Sequence, residues 1–100
     1  MGIIYSFDID GTICTDTNGD YEKAVPYKDR IDRINKLYYE GHTIILFTGR
    51  GNTTGIDWGM VTKQQLKEWR VAYHQLIFGK PYAEIYIDNK GVNADVFFRR

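Results

Sequence analysis

Two carboxylates stand two positions apart in the stretch YSFDIDGTIC, where Asp8 and Asp10 follow an apolar run and precede a Gly-Thr turn. On an extended strand, residues i and i+2 project from the same face. The turn that begins at Asp10 allows the second carboxylate to swing away from the first. The spacing therefore indicates two acids with different roles in one site at the end of a strand.

Three other polar residues lie at or near the ends of predicted strands, namely Thr48, Lys80 and Asp88. Ligands of open α/β sheets bind outside the carboxyl ends of the strands, so we expect these residues to gather with the two N-terminal acids. Each residue alone is also ordinary in a turn or on a surface. Three acids at one edge repel each other unless a cation sits among them. A hard divalent cation, Mg²⁺, fits oxygen ligands and a substrate phosphate best.

Apolar runs predict the strands that position these residues. They lie at residues 3–7, 43–47, 76–78 and 85–87. The first run is continuously apolar, which is typical of a parallel strand buried on both faces. Strands that alternate with helices predict a parallel α/β sheet with right-handed crossovers.

Helical periodicity predicts two helices between these strands. The first starts after Pro26 and stops at Gly41, with apolar residues at helical spacing in between. Thr62 and Gln65 resemble a capping box and predict a second helix over residues 62–73. Residues 92–98 are compatible with either a strand or a helix.

Composition indicates one ordinary globular domain spanning residues 1–100. Lys plus Arg and Asp plus Glu number 13 each, so bulk charge does not favour nucleic acid or an anionic membrane. The lone Cys14 cannot form an intramolecular disulfide, which fits a reducing, cytoplasmic compartment. The apolar N-terminal run is too short for a signal peptide or a membrane span.

Four short motifs carry a family resemblance. The segments DIDGT at 8–12, FTGR at 47–50, GKP at 79–81 and YIDNK at 86–90 resemble the ordered motifs of the haloacid dehalogenase (HAD) superfamily of phosphatases. The resemblance spans nearly the whole chain, and the first motif is the most specific. It implies a three-layer Rossmann-like, HAD-like parallel sheet flanked by helices.

The resemblance also implies roles for the polar residues. Asp8 would attack phosphorus and form an aspartyl phosphate. Asp10 would protonate the leaving oxygen and then activate water, since one carboxylate cannot be nucleophile and proton donor at once. Lys80 would neutralise developing charge. The cofactor Mg²⁺ would lie between Asp8, the Asp10 carbonyl and Asp88.

The resemblance places the substrate phosphate at the second motif. Thr48 and nearby backbone amides, Gly49 among them, would hold the phosphoryl oxygens, and Arg50 would contact the phosphate or cap the loop. One departure concerns the fourth motif, where many family members carry two adjacent acids but this chain has Asp88-Asn89. The lost negative charge would weaken metal binding without abolishing activity.

The loops after the first two strands are too short for a separate cap domain, so the resemblance points to a capless subtype with an open site. Specificity would then come from loops, from a neighbouring subunit in a homo-oligomer or from a large substrate. Tyr21, Trp58 and Tyr82 lie on loops, where they either rim the mouth of the site or pack against the fold. Segments such as GIDWG and FGKP are similar to HAD proteins of bacterial capsule and surface-polysaccharide biosynthesis. They suggest a small phosphorylated substrate such as a sugar phosphate.

Two other functions remain open. One is a non-catalytic or regulatory phosphate-binding module, and the other is phosphotransfer to an acceptor other than water. Signalling receiver domains also place acids, a Thr and a Lys around Mg²⁺, but their phosphate-accepting Asp follows the third strand. Here Asp8 follows the first strand and Asp10 is present for turnover, which favours a phosphatase.

Overall fold

The computed structural model describes residues 2–99. Three strands alternate with helices along the chain: β1 (Ile4–Asp8), α1 (Lys28–Tyr39), β2 (Thr43–Thr48), α2 (Gly59–Glu68), β3 (Gln75–Phe78) and α3 (Ala94–Phe97). A single 3-10 turn, Tyr21–Lys23, interrupts the loop between β1 and α1. In this range no helix combines the length and the apolar character that a membrane crossing requires.

The three strands form one parallel sheet in the order β1-β2-β3. Asp8 pairs with Phe47 of β2, and Thr48 pairs with Phe78 of β3. The carboxyl ends of all three strands therefore lie at one edge. The parallel sheet flanked by helices, without a cap domain, confirms the predicted Rossmann-like α/β class.

Helix α1 occupies the predicted range because its apolar stripe is continuous. Ile31 and Ile34 are buried against the sheet. Gly41 ends the helix with φ = 100°, a left-handed conformation that glycine adopts without a steric penalty. His42 then donates its backbone N–H to Leu37.

The predicted bounds of α2 are wrong at both ends. The helix begins at Gly59, whose N–H donates to the Asp57 carboxylate at 2.8 Å. Thr62 and Gln65 lie inside the helix and are buried, so they are not a capping box. The helix stops before Arg70, which has φ = 59°.

One apolar core joins the helices to the sheet. It includes Phe7, Ile44 and Leu46 from the strands, with Ile34 of α1 and Leu66 of α2 packed against them. The side chains that alternate with these on the strands are more open, and Ile4 is 69% exposed. Right-handed crossovers that move in one direction along a sheet place successive helices on the same face, which accounts for this asymmetry.

The predicted fourth strand does not form. Residues 85–87 have no strand partner, and Ile85 and Ile87 are 76% and 94% exposed. Only the six residues 79–84 separate β3 from this run, whereas a parallel strand needs a crossover of a dozen or more residues. The apolar pattern was sufficient for a strand, but the connection before it is too short.

The undecided segment 92–98 is helical. Helix α3 starts after Asn93, whose side chain accepts the N–H of Asp95 at 2.9 Å. Phe97 and Phe98 pack on the Phe7 ring at centroid distances of 5.6 and 6.0 Å. Arg30 of α1 binds the Asp95 carboxylate at 2.7 Å and fixes the start of α3.

Candidate functional site

Asp8 ends β1 and binds a lysine from the far side of the sheet. Its Oδ2 accepts a hydrogen bond from Lys80 Nζ at 2.7 Å, and its Oδ1 accepts the N–H of Ile9 at 2.8 Å. Both side chains are partly open to solvent, at 28% for Asp8 and 20% for Lys80. The carboxylate is thus paired with a cation, oriented by the Ile9 amide and accessible to solvent.

The turn after β3 places Lys80 at this edge. Gly79 has φ = 104°, and the N–H groups of Gly79 and Lys80 both donate to the Thr48 carbonyl at 3.0 and 3.2 Å. A Cβ on Gly49 would lie 2.8 Å from the Lys80 carbonyl oxygen, so the two loops fit closely only with glycine there. The loops after β2 and β3 therefore form one packed unit.

Two aromatic rings flank the ammonium group of Lys80. Its Nζ lies 4.2 Å from the centroid of Tyr86 and 5.1 Å from that of Phe47. The Tyr86 hydroxyl donates to the Pro81 carbonyl at 2.7 Å, which folds residues 81–86 back toward Lys80. Partial desolvation by these rings strengthens the attraction between Lys80 and Asp8.

Asp10 lies on the tight turn that follows β1 and faces a different cation. Thr12 and Ile13 both donate their N–H groups to the Ile9 carbonyl, at 3.1 and 2.9 Å, and Gly11 has φ = 83°. Arg50 binds the Asp10 carboxylate with two parallel hydrogen bonds, Nε to Oδ2 at 2.9 Å and Nη2 to Oδ1 at 2.8 Å. The predicted separation of the two acids is thus present, with one cation for each.

Arg50 is buried, with 4% of its surface exposed. Its Nη1 donates to Thr62 Oγ1 at 3.0 Å and to Gln65 Oε1 at 2.6 Å. The sequence predicted that Arg50 contacts the substrate phosphate or caps its loop. It did not predict the hydrogen bonds from Arg50 to Thr62 and Gln65. The spacing of Thr62 and Gln65 could have indicated these contacts. Residues three apart on a helix share a face, and a buried guanidinium needs hydrogen-bond acceptors.

Thr48 is fully buried at the end of β2. Its Oγ1 accepts the backbone N–H of Arg50 at 3.1 Å, so this loop amide already has a partner. The hydroxyl therefore braces the loop in this structure. Contact between phosphoryl oxygens and Thr48 or Gly49 stays a prediction.

Asp88 does not join the other acids. Its Oδ1 accepts the N–H of Lys90 at 2.7 Å, and its side chain is exposed. Across residues 2–99, no three His, Cys, Asp or Glu side chains lie close enough together to hold a metal ion. Asp8, Asp10 and Asp88 therefore form no three-carboxylate group, and an Mg²⁺ ion held by Asp8, the Asp10 carbonyl and Asp88 stays a prediction.

Cys14 is buried beside Asp10. Its Sγ lies 3.6 Å from Asp10 Oδ1 and 3.9 Å from Arg50 Nη2. Burial, reinforced by the negative charge of Asp10, raises the pKa of the Cys14 thiol to about 12. The thiol is therefore neutral at physiological pH and is no candidate nucleophile.

An aromatic pair covers the outer side of Arg50. The Tyr21 ring lies 4.7 Å from the guanidinium carbon, and Trp58 meets Tyr21 edge-on at 5.0 Å. Partial burial, followed by the Asp10 charge, raises the pKa of the Tyr21 hydroxyl. Both residues thus pack beside Arg50, whereas Tyr82 is 72% exposed.

A cavity of about 330 Å³ opens beside the loops after β2 and β3. Its lining is mixed apolar and polar: Arg50, Gly51, Asn52, Ile56, Asp57, Trp58, Phe78 and Gly79. A Cβ on Gly51 would collide with the Ile56 carbonyl oxygen, so glycine is required where this wall closes. Ligand pockets commonly have this size and character.

Comparisons with known proteins define the fold. No protein-family model matches the chain, and no curated protein matches it. An MCSG target from Vibrio cholerae is similar in structure, with a TM-score of 0.85 and 23% identity, over 100% of this chain and 89% of that one. A chain of the Pnkp1/Rnl/Hen1 complex is similar with a TM-score of 0.62 and 17% identity, over 88% of this chain and 30% of that one. A chain of the Pnkp1/Rnl/Hen1 RNA repair complex is similar with a TM-score of 0.60 and 16% identity, over 97% of this chain and 29% of that one.

At these identities the likenesses support the α/β fold and nothing finer. The chain spans most of the Vibrio cholerae protein but less than a third of the RNA repair proteins. The function has to be argued from the site.

Proposed function

We propose that this protein is a phosphomonoester hydrolase that works through an aspartyl phosphate on Asp8. One observation carries the proposal: two carboxylates from a single strand end each bind a separate cation. Asp8 is paired with Lys80 and Asp10 is paired with Arg50. Two acids in different surroundings suit a mechanism that needs a nucleophile and a proton carrier.

In the first step, an Asp8 carboxylate oxygen forms a bond to phosphorus and the bond from phosphorus to the ester oxygen breaks. A proton from Asp10 passes to the leaving oxygen, which departs as an alcohol. Lys80, bound to Asp8 in the resting protein, then neutralises charge on the transferring phosphoryl group.

In the second step, water attacks the phosphorus of the aspartyl phosphate while Asp10 accepts its proton. The bond between phosphorus and the Asp8 oxygen breaks, which releases inorganic phosphate and restores the carboxylate. Asp10 regains in this step the proton that it gave in the first, so the cycle closes.

A requirement for Mg²⁺ is part of the proposal, and it is supported by charge. The formal charges of Asp8, Asp10, Lys80 and Arg50 cancel when Asp10 is ionised and leave a single positive charge when Asp10 carries the proton for the leaving oxygen, so a phosphate dianion leaves uncompensated negative charge in both states. A divalent cation would supply the balance. Asp88 lies apart from Asp8 and Asp10, and the residue roles described above do not depend on the metal.

The substrate class that we propose is a small phosphorylated metabolite such as a sugar phosphate. The cavity next to Arg50 is large enough for a group of monosaccharide size. A role in capsule or surface-polysaccharide synthesis is part of this proposal and rests on the sequence resemblance.

The test is hydrolysis of an aryl phosphate by the wild type and by Asp8→Asn. We expect Mg²⁺-dependent turnover in the wild type and none in the variant. Asp32→Asn is the control, because Asp32 forms an exposed ion pair with Lys28 on α1, and it should keep full activity. Turnover by Asp8→Asn would remove the nucleophile assignment.

Trapping distinguishes the alternative functions. Beryllofluoride or mass spectrometry should label Asp8 in a protein that also turns over. Labelling without turnover would instead indicate a non-catalytic module or phosphotransfer to another acceptor.

A further inference from the structure

The guanidinium of Arg50 has no donor left for a substrate. A guanidinium carries five N–H groups. Nε and one Nη2 hydrogen are bound to Asp10, and the other Nη2 hydrogen points to Cys14 Sγ at 3.9 Å. Both Nη1 hydrogens go to α2, to Thr62 and Gln65. Arg50 therefore acts on Asp10 and not on phosphate.

Helix α2 fixes the orientation of this guanidinium. Thr62 is fully buried and Gln65 is 8% exposed, so their oxygens accept from Arg50 without competition from water. Gln65 Nε2 donates in turn to the Tyr21 carbonyl at 2.7 Å, which determines which end of the amide faces Arg50. A contact chain thus runs from α2 through Arg50 to Asp10.

The same contacts make Oδ2 the less crowded oxygen of Asp10. A carboxylate has about four lone-pair sites. Oδ1 accepts from Arg50 and lies 3.6 Å from Cys14 Sγ, which also lies 3.7 Å from the Ile9 carbonyl oxygen, whereas Oδ2 accepts from Arg50 alone. Asp10 keeps 16% of its side chain exposed. A proton that moves to or from Asp10 would therefore use Oδ2.

We propose that Arg50, held by Thr62 and Gln65, is a positioning residue that presents Oδ2 of Asp10 as the proton-transfer atom. This inference rests on the proposed phosphatase function. A buried ion pair is weak evidence for a stabilising role, because the desolvation penalty offsets much of the attraction. Orientation of a reacting group accounts for the pair, since a misplaced acid loses catalysis steeply.

The test removes Gln65 and compares two kinds of leaving group. Gln65→Leu keeps side-chain volume but takes away the acceptor and the donor. Hydrolysis of an alkyl phosphate needs a proton on the leaving oxygen, whereas p-nitrophenolate leaves without one. We expect kcat/KM, which reports only the steps up to formation of the aspartyl phosphate, to fall by about 10- to 100-fold for β-glycerophosphate and by less than about 3-fold for p-nitrophenyl phosphate.

Two further variants sharpen the comparison. Gln65→Glu retains an oxygen acceptor for Arg50 and should recover most of the activity on the alkyl ester. Gln64 lies at an exposed neighbouring position and its amide donates a hydrogen bond to Glu68. Gln64→Leu should therefore leave the activity on both esters unchanged. An equal loss of kcat/KM for both esters in Gln65→Leu, or no loss, would overturn the positioning role.

A separate readout keeps the two proposals distinguishable. Urea unfolding of Asp10→Asn, Gln65→Leu and the double variant measures whether the two residues are coupled through Arg50. We expect non-additive shifts in the unfolding midpoint, and additive shifts would refute the contact chain. A wild type that hydrolyses neither ester would refute the proposed function itself, whatever the cycle shows.

Discussion

The Arg50–Asp10 pair gives the sharpest prediction about stability. In Arg50→Met the chain keeps an apolar stem of similar length but leaves the Asp10 carboxylate, 16% exposed, without its cation. Gln65 Oε1 and Thr62 Oγ1 lose a donor at the same time. Breaking a buried pair from one side costs about 3–5 kcal/mol, because the remaining charge has neither its partner nor water.

This loss is large for a chain of this size. The free energy of unfolding of small domains is about 5–15 kcal/mol, so the variant would lose about a fifth of it or more. With an m-value of about 1.5 kcal/mol/M in urea, the unfolding midpoint should fall by about 2–3 M. Adding Asp10→Asn removes the stranded charge and should restore at least about 1 kcal/mol.

Urea titration monitored by tryptophan fluorescence measures these midpoints. The control is Lys28→Met, which breaks an ion pair with Asp32 on the exposed surface of α1 and should cost less than about 0.5 kcal/mol. An Arg50→Met midpoint close to that of the control would refute the buried pair. Failure of Asp10→Asn to improve Arg50→Met would refute the stranded charge as the cause.

Three more predictions concern charge at the site. Lys80→Met should lower kcat by about 10²–10³-fold because Asp8 loses its cation. The control Lys63→Met, on the exposed side of α2, should leave kcat unchanged. Equal activity of the two variants would exclude Lys80 from the chemistry. The folded-state pKa of Cys14 lies at about 12, above the ordinary value of 9.0, so the proton is bound more tightly in the folded protein and unfolding free energy should fall from about pH 9 to pH 12. Cys14→Ala should remove that part of the pH dependence in urea titrations, and an unchanged slope would contradict the raised pKa. Chelation by EDTA should abolish phosphatase activity and added Mg²⁺ should restore it, whereas activity in full chelation would contradict the requirement for Mg²⁺.

Local patterns in the sequence predicted most of the sheet. β1, β2 and α1 lie where apolar runs and helical spacing place them, because each contributes side chains to the one apolar core. The fourth strand failed for a reason that the pattern at 85–87 does not contain. Whether an apolar run becomes a strand depends on a partner and on a connection long enough to reach it.

The site was predicted in part for similar reasons. Asp8, Asp10 and Lys80 meet the expected edge because the ends of parallel strands carry them there. Arg50 was predicted to contact the substrate phosphate or to cap its loop. Its burial could not be predicted, because burial of a long cationic side chain depends on how α2 packs. Asp88 was expected beside the other acids because a fourth strand was predicted to end there. Residues 85–87 form no strand, so nothing carries Asp88 to that edge.

The free side of β1 has a consequence for how the nucleophile is held. Within residues 2–99, β1 is hydrogen-bonded to β2 and has no second neighbour. In such an edge strand alternate amides face the solvent, so they should exchange hydrogen for deuterium far faster than those directed at β2. The backbone that carries Asp8 is therefore supported from one side, and its alignment depends on the Lys80 contact more than it would in the middle of a sheet.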